Sequence, residues 1–281
     1  MTPETHPNVE RFSGFADCYD THRPKPPPLL TKLLSQLAGV ARPKLVVDLG
    51  SGTGLATRVW DGKADRIIGI EPNADMRRQA ERASECRLAS RPCLAKREDA
   101  TSTEYRDGTS TATGLPDGCA DIVTASQALH WMEPEGTFAE VARILRPGGV
   151  FAAIDCDWPP VVCWEVEEAW RRFSRQAREL EERLGISEKI ERWGKDAHLE
   201  RMRASGRFRQ VREVLMHNVE QGDAARLVGL ARSQGGVATA LKMGLSEDEV
   251  GLTALREAAE LSMGSEQVPW YWSYRMRVGT K

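Results

Sequence analysis

The chain has 281 residues, of which 41% are hydrophobic and 28% are charged, so it suits one large domain or one domain with a sizeable insertion. The formal net charge of −2 and the lack of a long basic stretch argue against a nucleic-acid partner. No segment approaches the roughly 18 uninterrupted apolar residues of a membrane span, and we expect a cytoplasmic protein without membrane contact. The six cysteines form no CxxC pair, which suggests neither a metal site nor a disulfide framework.

The first half of the chain alternates between predicted strands and helices. Residues 1–28 are polar and end in a proline-rich stretch, which predicts an extended arm or lid before a short helix over residues 31–37. Apolar runs predict buried strands, and amphipathic stretches predict helices, one of them capped by Asn73. The predicted strands lie near 44–50, 66–71, 104–108, 120–126 and 150–156, the helical segments near 55–62, 73–85 and 135–145, and a loop over 87–103.

The second half of the chain has a different pattern. Residues 164–184 and 188–205 are predicted to form two charged helices with no strand between them, and residues 207–220 alternate with a period of two. Residues 222–263 look helical, with breaks at Gly235–Gly236 and at Gly244, and Ser246 with Glu249 fits a capping box. A last strand is predicted over residues 268–279.

The strand–helix alternation between residues 45 and 156 predicts an α/β fold with a doubly wound, mostly parallel sheet. We expect the two late strands to extend this sheet and a helical cover to be inserted over its ligand edge. The predicted divisions are a lid arm and first helix (1–40), a cofactor-binding α/β core (41–157), a helical substrate cover (158–206) and a segment that completes the sheet (207–281).

The stretch LVVDLGSGTG, residues 45–54, places three glycines directly after a buried strand. A turn without Cβ atoms lets a ligand lie against the backbone, and the helix that follows offers free N–H groups. An acid about 20 residues further on can accept hydrogen bonds from ribose hydroxyls. Because Glu71 lies 21 positions after Gly50, the pattern predicts an adenosine-type ligand.

The glycine spacing favours a cationic nucleoside over a dinucleotide. A dinucleotide loop follows GxGxxG, but Leu55 occupies the place of its third glycine, and Gly54 makes the pattern GxGxG instead. Asp48 puts a carboxylate just before the loop, where it would repel a pyrophosphate and attract the ammonium of S-adenosylmethionine. An NAD-dependent oxidoreductase and a turn without a ligand are the disfavoured alternatives.

Four motifs, VVDLGSGTG, IGIEPNADM, TGLPDGCADIVTASQALHW and EVARILRPGGVFAAID, resemble the successive motifs of class I S-adenosylmethionine-dependent methyltransferases. They look closest to the small-molecule branch that includes trans-aconitate methyltransferase-like proteins, and FADCYDTHRPKPP is similar to the lid segment of that branch. The resemblance covers residues 12–156, and WSYRMRVGTK resembles the last strand of the family. It implies a Rossmann-like seven-stranded sheet with an antiparallel last strand, and one bound S-adenosylmethionine.

The resemblance also implies roles for individual residues. Those expected to cradle the amino-acid part of the cofactor are Asp48, Gly50, Ser51 and Gly52, and Glu71 would hold the ribose. Those expected to flank the ribose and adenine are Pro72, Asn73 and Met76, and those expected to close on the methionine end are Tyr19 and Arg23. Gln127 and His130 would face the methyl-transfer region. Many relatives carry an acid near the adenine amine, and here that role would fall to Thr109, Ser110 or Thr111.

Methyl transfer from a sulfonium is an in-line displacement, in which alignment and exclusion of water matter most. A carboxylate acceptor needs no base, whereas a hydroxyl or a protonated amine does. His130 is either that base or a structural side chain, and Asp155 and Asp157 either contact the substrate or are polar loop residues. Four tryptophans either form an acid-and-Trp pocket or pack the helical cover onto the sheet; they are Trp158, Trp164, Trp170 and Trp193. For an anionic substrate, Arg171 or Arg192 would be the partner.

These features together predict a methyltransferase for a small molecule, which would release S-adenosylhomocysteine. The leading acceptor is the oxygen of a carboxylate or hydroxyl. The alternatives are N- or C-methylation of a natural-product-type metabolite, and a non-catalytic protein that binds S-adenosylmethionine. We expect a monomer or a homodimer.

Overall fold

A computed structural model describes residues 20, 22–90, 101–186, 188, 190–264 and 266–281, and the side chains of all of these except 88–90. Its strands form one seven-stranded sheet in the order β3-β2-β1-β4-β5-β7-β6. They are β1 (Leu45–Leu49), β2 (Arg66–Ile70), β3 (Ser102–Arg106), β4 (Ala120–Ser126), β5 (Leu145–Cys156), β6 (Arg209–Gly222) and β7 (Val268–Thr280). The pairings among β1–β5 are parallel, and β7 runs antiparallel to β5. This confirms the predicted doubly wound, mostly parallel sheet with an antiparallel last strand.

The helices within the described residues are α1 (Leu29–Leu37), α2 (Ala74–Ser90), α3 (Pro134–Ile144), α4 (Trp164–Arg183), α5 (His198–Ala204), α6 (Ala224–Arg232), α7 (Gly235–Lys242) and α8 (Leu252–Met263). Short 3₁₀ turns occur at Thr57–Trp60, Leu129–Trp131 and Lys195–Ala197. No helix in this part of the chain is both long and apolar enough to cross a bilayer.

Two of the sequence-based element predictions need correction. The helix predicted over 188–205 was wrong in its first half, because residues 190–194 are irregular and α5 begins only at His198. The backbone N–H of Trp193 donates instead to the His130 carbonyl at 3.0 Å, a partner distant in sequence that helix periodicity does not reveal. The loop predicted over 87–103 was wrong at both ends, since α2 reaches Ser90 and β3 begins at Ser102; residues 91–100 lie outside the described part.

The contacts between residues divide the chain into two compact units. The larger unit contains residues 25–156, 192–216 and 274–281, and the smaller unit contains 157–191 and 217–273 together with the described residues before 25. This division differs from the predicted one, which grouped residues 192–206 with the helical cover and residues 217–273 with the sheet. The long strands β6 and β7 contribute residues to both units.

The larger unit is built around a sheet whose central strand is fully buried. All five residues of β1 are buried, as expected for a parallel strand covered on both faces. On one face, the rings of Phe151 and Phe208 stack at 5.5 Å, and Phe138 meets Phe208 edge-on at 5.9 Å. The parallel pairing of β2 with β1, of β1 with β4 and of β4 with β5 brings the carboxyl ends of these strands together at one edge.

Tryptophan side chains and helices pack against one another in the smaller unit. Trp158 stacks on Trp170 at 5.9 Å and meets Trp272 edge-on at 5.2 Å, and α4 packs against α8. Trp170 and Trp272 are buried, whereas the side chain of Trp164 is 78% exposed. Trp158 and Trp170 therefore pack among the aromatic side chains of this unit, while Trp164 faces solvent.

Candidate cofactor and acceptor site

The glycine loop follows β1 and turns sharply at the edge of the sheet. The backbone N–H groups of Gly50 and Ser51 both donate to the Ile70 carbonyl, at 2.8 and 3.2 Å, which anchors the loop to β2. Gly50 and Gly52 have φ values of +62° and +53°, in the left-handed region that glycine adopts without steric cost. Side chains are thus disfavoured at both positions by backbone conformation alone.

The two glycines differ in what surrounds them. A Cβ atom at Gly50 would lie 2.8 Å from both Ala128 and Met132, so Gly50 allows close packing inside the protein. A Cβ atom at Gly52 would meet nothing within 4 Å, so Gly52 borders open space. The hydroxyl of Ser51, between them, is buried and has no hydrogen-bond partner among the described residues. The open space beside the Gly52 backbone and the unsatisfied hydroxyl of Ser51 next to it fit a polar ligand at this loop.

Asp48, one residue before the end of β1, belongs to a buried polar cluster. Its carboxylate accepts hydrogen bonds from the hydroxyls of Thr57 and Thr124, each at 2.7 Å, and Thr124 is its register partner on the neighbouring strand β4. Burial raises the pKa of Asp48 to about 6, although both hydroxyl groups act to lower it. At pH 7 and above this carboxylate is therefore a buried negative charge.

Glu71 joins the glycine loop to the start of α2. Its two carboxylate oxygens accept from the backbone N–H groups of Gly52 and Asn73, each at 2.9 Å. Burial raises the pKa of Glu71, while these two hydrogen bonds act to lower it. Each oxygen keeps a second lone pair, so the carboxylate can still accept from a sugar hydroxyl. The side chain is thus placed at the tip of β2, as the spacing predicted.

The start of α2 lies beside Glu71. Asn73 caps this helix, since its side-chain oxygen accepts from the N–H groups of Asp75 and Met76 at 2.9 and 3.1 Å, which confirms the predicted N-cap. Met76 is buried, and Pro72 is half-buried. The structure thus gathers Asp48, the loop, Glu71 and these three residues at one edge of the sheet.

The predicted adenine segment forms a tight turn after β3. Thr109 and Ala112 exchange backbone hydrogen bonds at 3.3 and 3.2 Å, and the hydroxyl of Ser110 lies 2.8 Å from that of Thr137 on α3. Thr109 and Thr111 are exposed. Asp107 directly follows β3 and accepts from Arg77 at 2.8 Å. Sequence reasoning overlooked Asp107 as an acid after the third strand because the end of β3 was placed too late.

Gln127, His130 and Asp155 come together at the carboxyl ends of β4 and β5. Gln127 has a φ of +54°, an uncommon conformation for a residue with a side chain, and its N–H donates to Ile154 at 2.7 Å. His130 and Asp155 are both buried, and the Nδ1 of His130 lies 3.9 Å from the Oδ1 of Asp155. That separation exceeds a hydrogen bond, so Asp155 does not orient His130 by one.

Three functional candidates in this cluster were missed by sequence reasoning. Lys195 contacts Gln127 at 2.8 Å and Asp155 at 2.9 Å, and Arg277 contacts the second oxygen of Asp155 at 2.9 Å. His198 is buried, and burial lowers its pKa to about 4. The period-two pattern of β7 buries residues 270, 272, 274, 276 and 278 and so assigns Arg277 to the opposite face, which gives no sign that this charge is buried. No local signal marks Lys195 or His198.

Several predicted site residues lie elsewhere or outside the described part. Tyr19 falls outside the described residues. Arg23 belongs to the smaller unit, where its guanidinium donates to the hydroxyl and the carbonyl of Ser233 at 3.0 and 2.7 Å and stacks over Trp158 at 5.4 Å. Arg171 pairs with Glu167 and Glu168, and Arg192 lies over the ring of Trp131 at 5.1 Å. The expected contacts of Tyr19 and Arg23 with a cofactor stay predictions.

Comparison with known proteins supports the interpretation of this edge. Residues 47–153 match the family described as the methyltransferase domain. This segment includes the last three residues of β1, the glycine loop, Glu71, Gln127 and His130. The match therefore includes the glycine loop and Glu71, whereas Asp155, Lys195, His198 and Arg277 lie outside it.

Individual relatives match over part of the chain. An uncharacterized methyltransferase of Mycobacterium tuberculosis is 32% identical over 139 residues, which are 49% of this chain and 49% of the relative. A malonyl-[acyl-carrier protein] O-methyltransferase of Pectobacterium atrosepticum is 25% identical over 166 residues, which are 59% of this chain and 58% of the relative. The chain thus spans only about half of the length of the relatives that it matches.

The fold as a whole has a counterpart among solved structures. A provisionally assigned type II methyltransferase of Anaeromyxobacter dehalogenans superposes with a TM-score of 0.62 at 22% sequence identity. The superposition covers 92% of this chain and 97% of the other. This similarity shows a shared fold.

Proposed function

We propose that the protein is an S-adenosylmethionine-dependent methyltransferase. The observation that carries the proposal is the glycine loop, where the backbone of Gly52 borders open space and its N–H donates to the carboxylate of Glu71. When bound, S-adenosylmethionine supplies an activated methyl group on a sulfonium. Asp48 would hold the ammonium of its amino-acid part, and Glu71 would hold its ribose. The match of residues 47–153 to methyltransferase domains supports the same assignment.

We propose a small-molecule acceptor, methylated on oxygen. In this step the acceptor oxygen forms a bond to the methyl carbon, and the electrons of the broken carbon–sulfur bond stay on sulfur. A carboxylate acceptor loses no proton, whereas a hydroxyl acceptor must give one to a base. His130 lies just after β4, with its Nδ1 3.9 Å from Asp155 on β5, and is the candidate base in the second case. The similarity to an O-methyltransferase for a malonyl group supports oxygen as the acceptor atom.

Methyl transfer itself provides the test of this function. The purified protein would be incubated with S-adenosylmethionine labelled in its methyl group and with a panel of acids, alcohols and amines, and label in an extractable product would be counted. We expect transfer to at least one acid or alcohol and retention of labelled cofactor on a filter. Retention of NADH instead of S-adenosylmethionine would contradict the proposal. A protein that binds the cofactor and methylates nothing in a broad panel would favour the non-catalytic alternative.

Glu71→Ala should weaken S-adenosylhomocysteine binding about ten- to hundredfold, since a charge-assisted hydrogen bond contributes about 1.5–3 kcal/mol. Isothermal titration calorimetry measures this change. Glu71→Gln keeps the shape of the side chain but can present only one oxygen as an acceptor, so we expect an intermediate loss. A dissociation constant for Glu71→Ala equal to that of the unmodified protein would remove Glu71 from the site.

A further inference from the structure

Lys195 belongs to a buried ion-pair network at the ends of β4 and β5. Its ammonium contacts Asp155 at 2.9 Å, and the other oxygen of Asp155 accepts from Arg277 at 2.9 Å. Arg277 also pairs with Glu213 at 2.8 Å. Because Glu213 also pairs with Arg275 at 3.5 Å, the network holds three cations, Lys195, Arg275 and Arg277, against two carboxylates, and it carries one net positive charge.

The ammonium of Lys195 has capacity for one more partner. A lysine carries three N–H donors. One donates to the side-chain oxygen of Gln127 at 2.8 Å, and the ammonium also forms an ion pair with Asp155 at 2.9 Å that lacks hydrogen-bond geometry. In the part of the chain that the structure describes, no third acceptor contacts this group. The side chain of Lys195 is 26% exposed and that of Asp155 only 5%, so an incoming molecule can reach the ammonium of this pair rather than its carboxylate.

A hydrogen bond and a stacking contact hold the segment that carries Lys195 next to His130, the candidate base. The N–H of Trp193 donates to the carbonyl of His130 at 3.0 Å, and Arg192 stacks over the neighbouring Trp131. Gln127 accepts from Lys195 while its own backbone is held at a φ of +54°. A strained residue that persists only with support from its surroundings is typical of functional sites. These contacts place the ammonium of Lys195 at the end of the sheet where His130 lies.

A second polar atom in this neighbourhood has no partner. The Nε2 of His198 is buried without a hydrogen bond to any of the described residues, and the charges of Asp155 and Lys195 both act on this ring. Because burial keeps the imidazole neutral at pH 7, it adds no further positive charge but offers a donor or an acceptor. A polar molecule bound at Lys195 would give this atom a partner.

We propose that Lys195 binds a carboxylate of the methyl acceptor, so that the enzyme selects carboxylic acids over their neutral and cationic analogues. This inference rests on the proposed methyltransferase function and specifies its substrate class. A cationic acceptor is disfavoured because Asp155 is buried and paired twice. A neutral acceptor would leave the positive charge of Lys195 without a negative partner on the substrate.

The test compares matched probes on the protein saturated with S-adenosylhomocysteine. Acetate, butyrate, octanoate, benzoate, phenylacetate and succinate are titrated against the amides and amines of the same carbon skeletons, with ligand-observed NMR as the readout. We expect at least one acid to bind at least tenfold more tightly than its amide and its amine, as loss of a charge-assisted hydrogen bond implies. In Lys195→Gln that preference should disappear, with an unchanged affinity for S-adenosylhomocysteine.

Lys63→Gln is the matched control, because it removes the same charge from an exposed turn and should keep the full preference. A second measurement needs no variant: a bound acid should slow the acylation of Lys195, read by mass spectrometry, and leave that of Lys63 unchanged. Equal binding of acids and amides, a preference that survives in Lys195→Gln, or no acid bound at 20 mM (roughly −2 kcal/mol) would overturn the inference. Failure to bind S-adenosylhomocysteine at all would instead count against the proposed function.

Discussion

Gly52→Arg should abolish binding of S-adenosylmethionine and S-adenosylhomocysteine. The position borders open space in which a Cβ atom meets nothing within 4 Å, so a long side chain would fill the space assigned to the ligand. The added guanidinium would also place a positive charge near Asp48, where the cofactor ammonium is expected. We expect a loss of at least a thousandfold in affinity by calorimetry, about 4 kcal/mol or more.

Gly62→Arg is the control for Gly52→Arg, because it introduces the same backbone strain without filling the proposed ligand site. Gly62 also has a left-handed φ, +73°, and open space around its missing Cβ, but it lies in an exposed turn. Both variants should therefore lose a similar amount of stability from the unfavourable backbone conformation, of the order of 1 kcal/mol. Only Gly52→Arg should lose the cofactor. Near-normal affinity in Gly52→Arg would mean that the ligand lies elsewhere.

Asp48→Asn should stabilise the fold and weaken cofactor binding at the same time. Folding raises the pKa of Asp48 from 3.8 to about 6, so the folded state favours the neutral form. The stability that this neutral form contributes is complete below about pH 4 and is lost as the pH rises through 6. Asparagine stays neutral at every pH, and we expect a gain in unfolding free energy of the order of 1–3 kcal/mol at pH 8. The same variant should bind S-adenosylhomocysteine at least tenfold more weakly.

Urea denaturation at pH 8 and at pH 4.5 measures the first part of this prediction. The stability difference between Asp48→Asn and the unmodified protein should shrink at the lower pH, where the unmodified carboxyl is protonated. Asp117→Asn serves as the control, since the side chain of Asp117 is 81% exposed and carries no such burial cost. A destabilised Asp48→Asn with full cofactor affinity would show that Asp48 serves the fold and not the ligand.

The part of the fold that could be predicted from sequence is the part governed by local patterns. Apolar runs identified the central strands, and the glycines and Asn73 marked the turns and the helix start. The capping box at Ser246 and Glu249 also forms, with hydrogen bonds of 2.8 and 3.3 Å, but it closes a turn that ends before α8 begins at Leu252. The local sequence thus predicted the hydrogen bonds of the capping box but not the residue at which the next helix begins.

The candidate site also has a part that local patterns predict and a part that they do not. Asp48, Gly52 and Glu71 follow one another along two adjacent strands, so spacing alone brought them to one edge of the sheet. The acceptor side depends on contacts between distant segments: Lys195 reaches Gln127 across 68 positions, and Arg277 reaches Asp155 across 122. No period or motif encodes such pairs, because they form only when β7 and the 192–198 segment pack beside β5.

A crystal structure with S-adenosylhomocysteine bound would test the central claim most directly. We expect its homocysteine part along residues 48–52, within reach of the Asp48 carboxylate, and its ribose hydroxyls on Glu71. Density for the nucleoside at another place, or a vacant glycine loop at saturating ligand, would contradict this account.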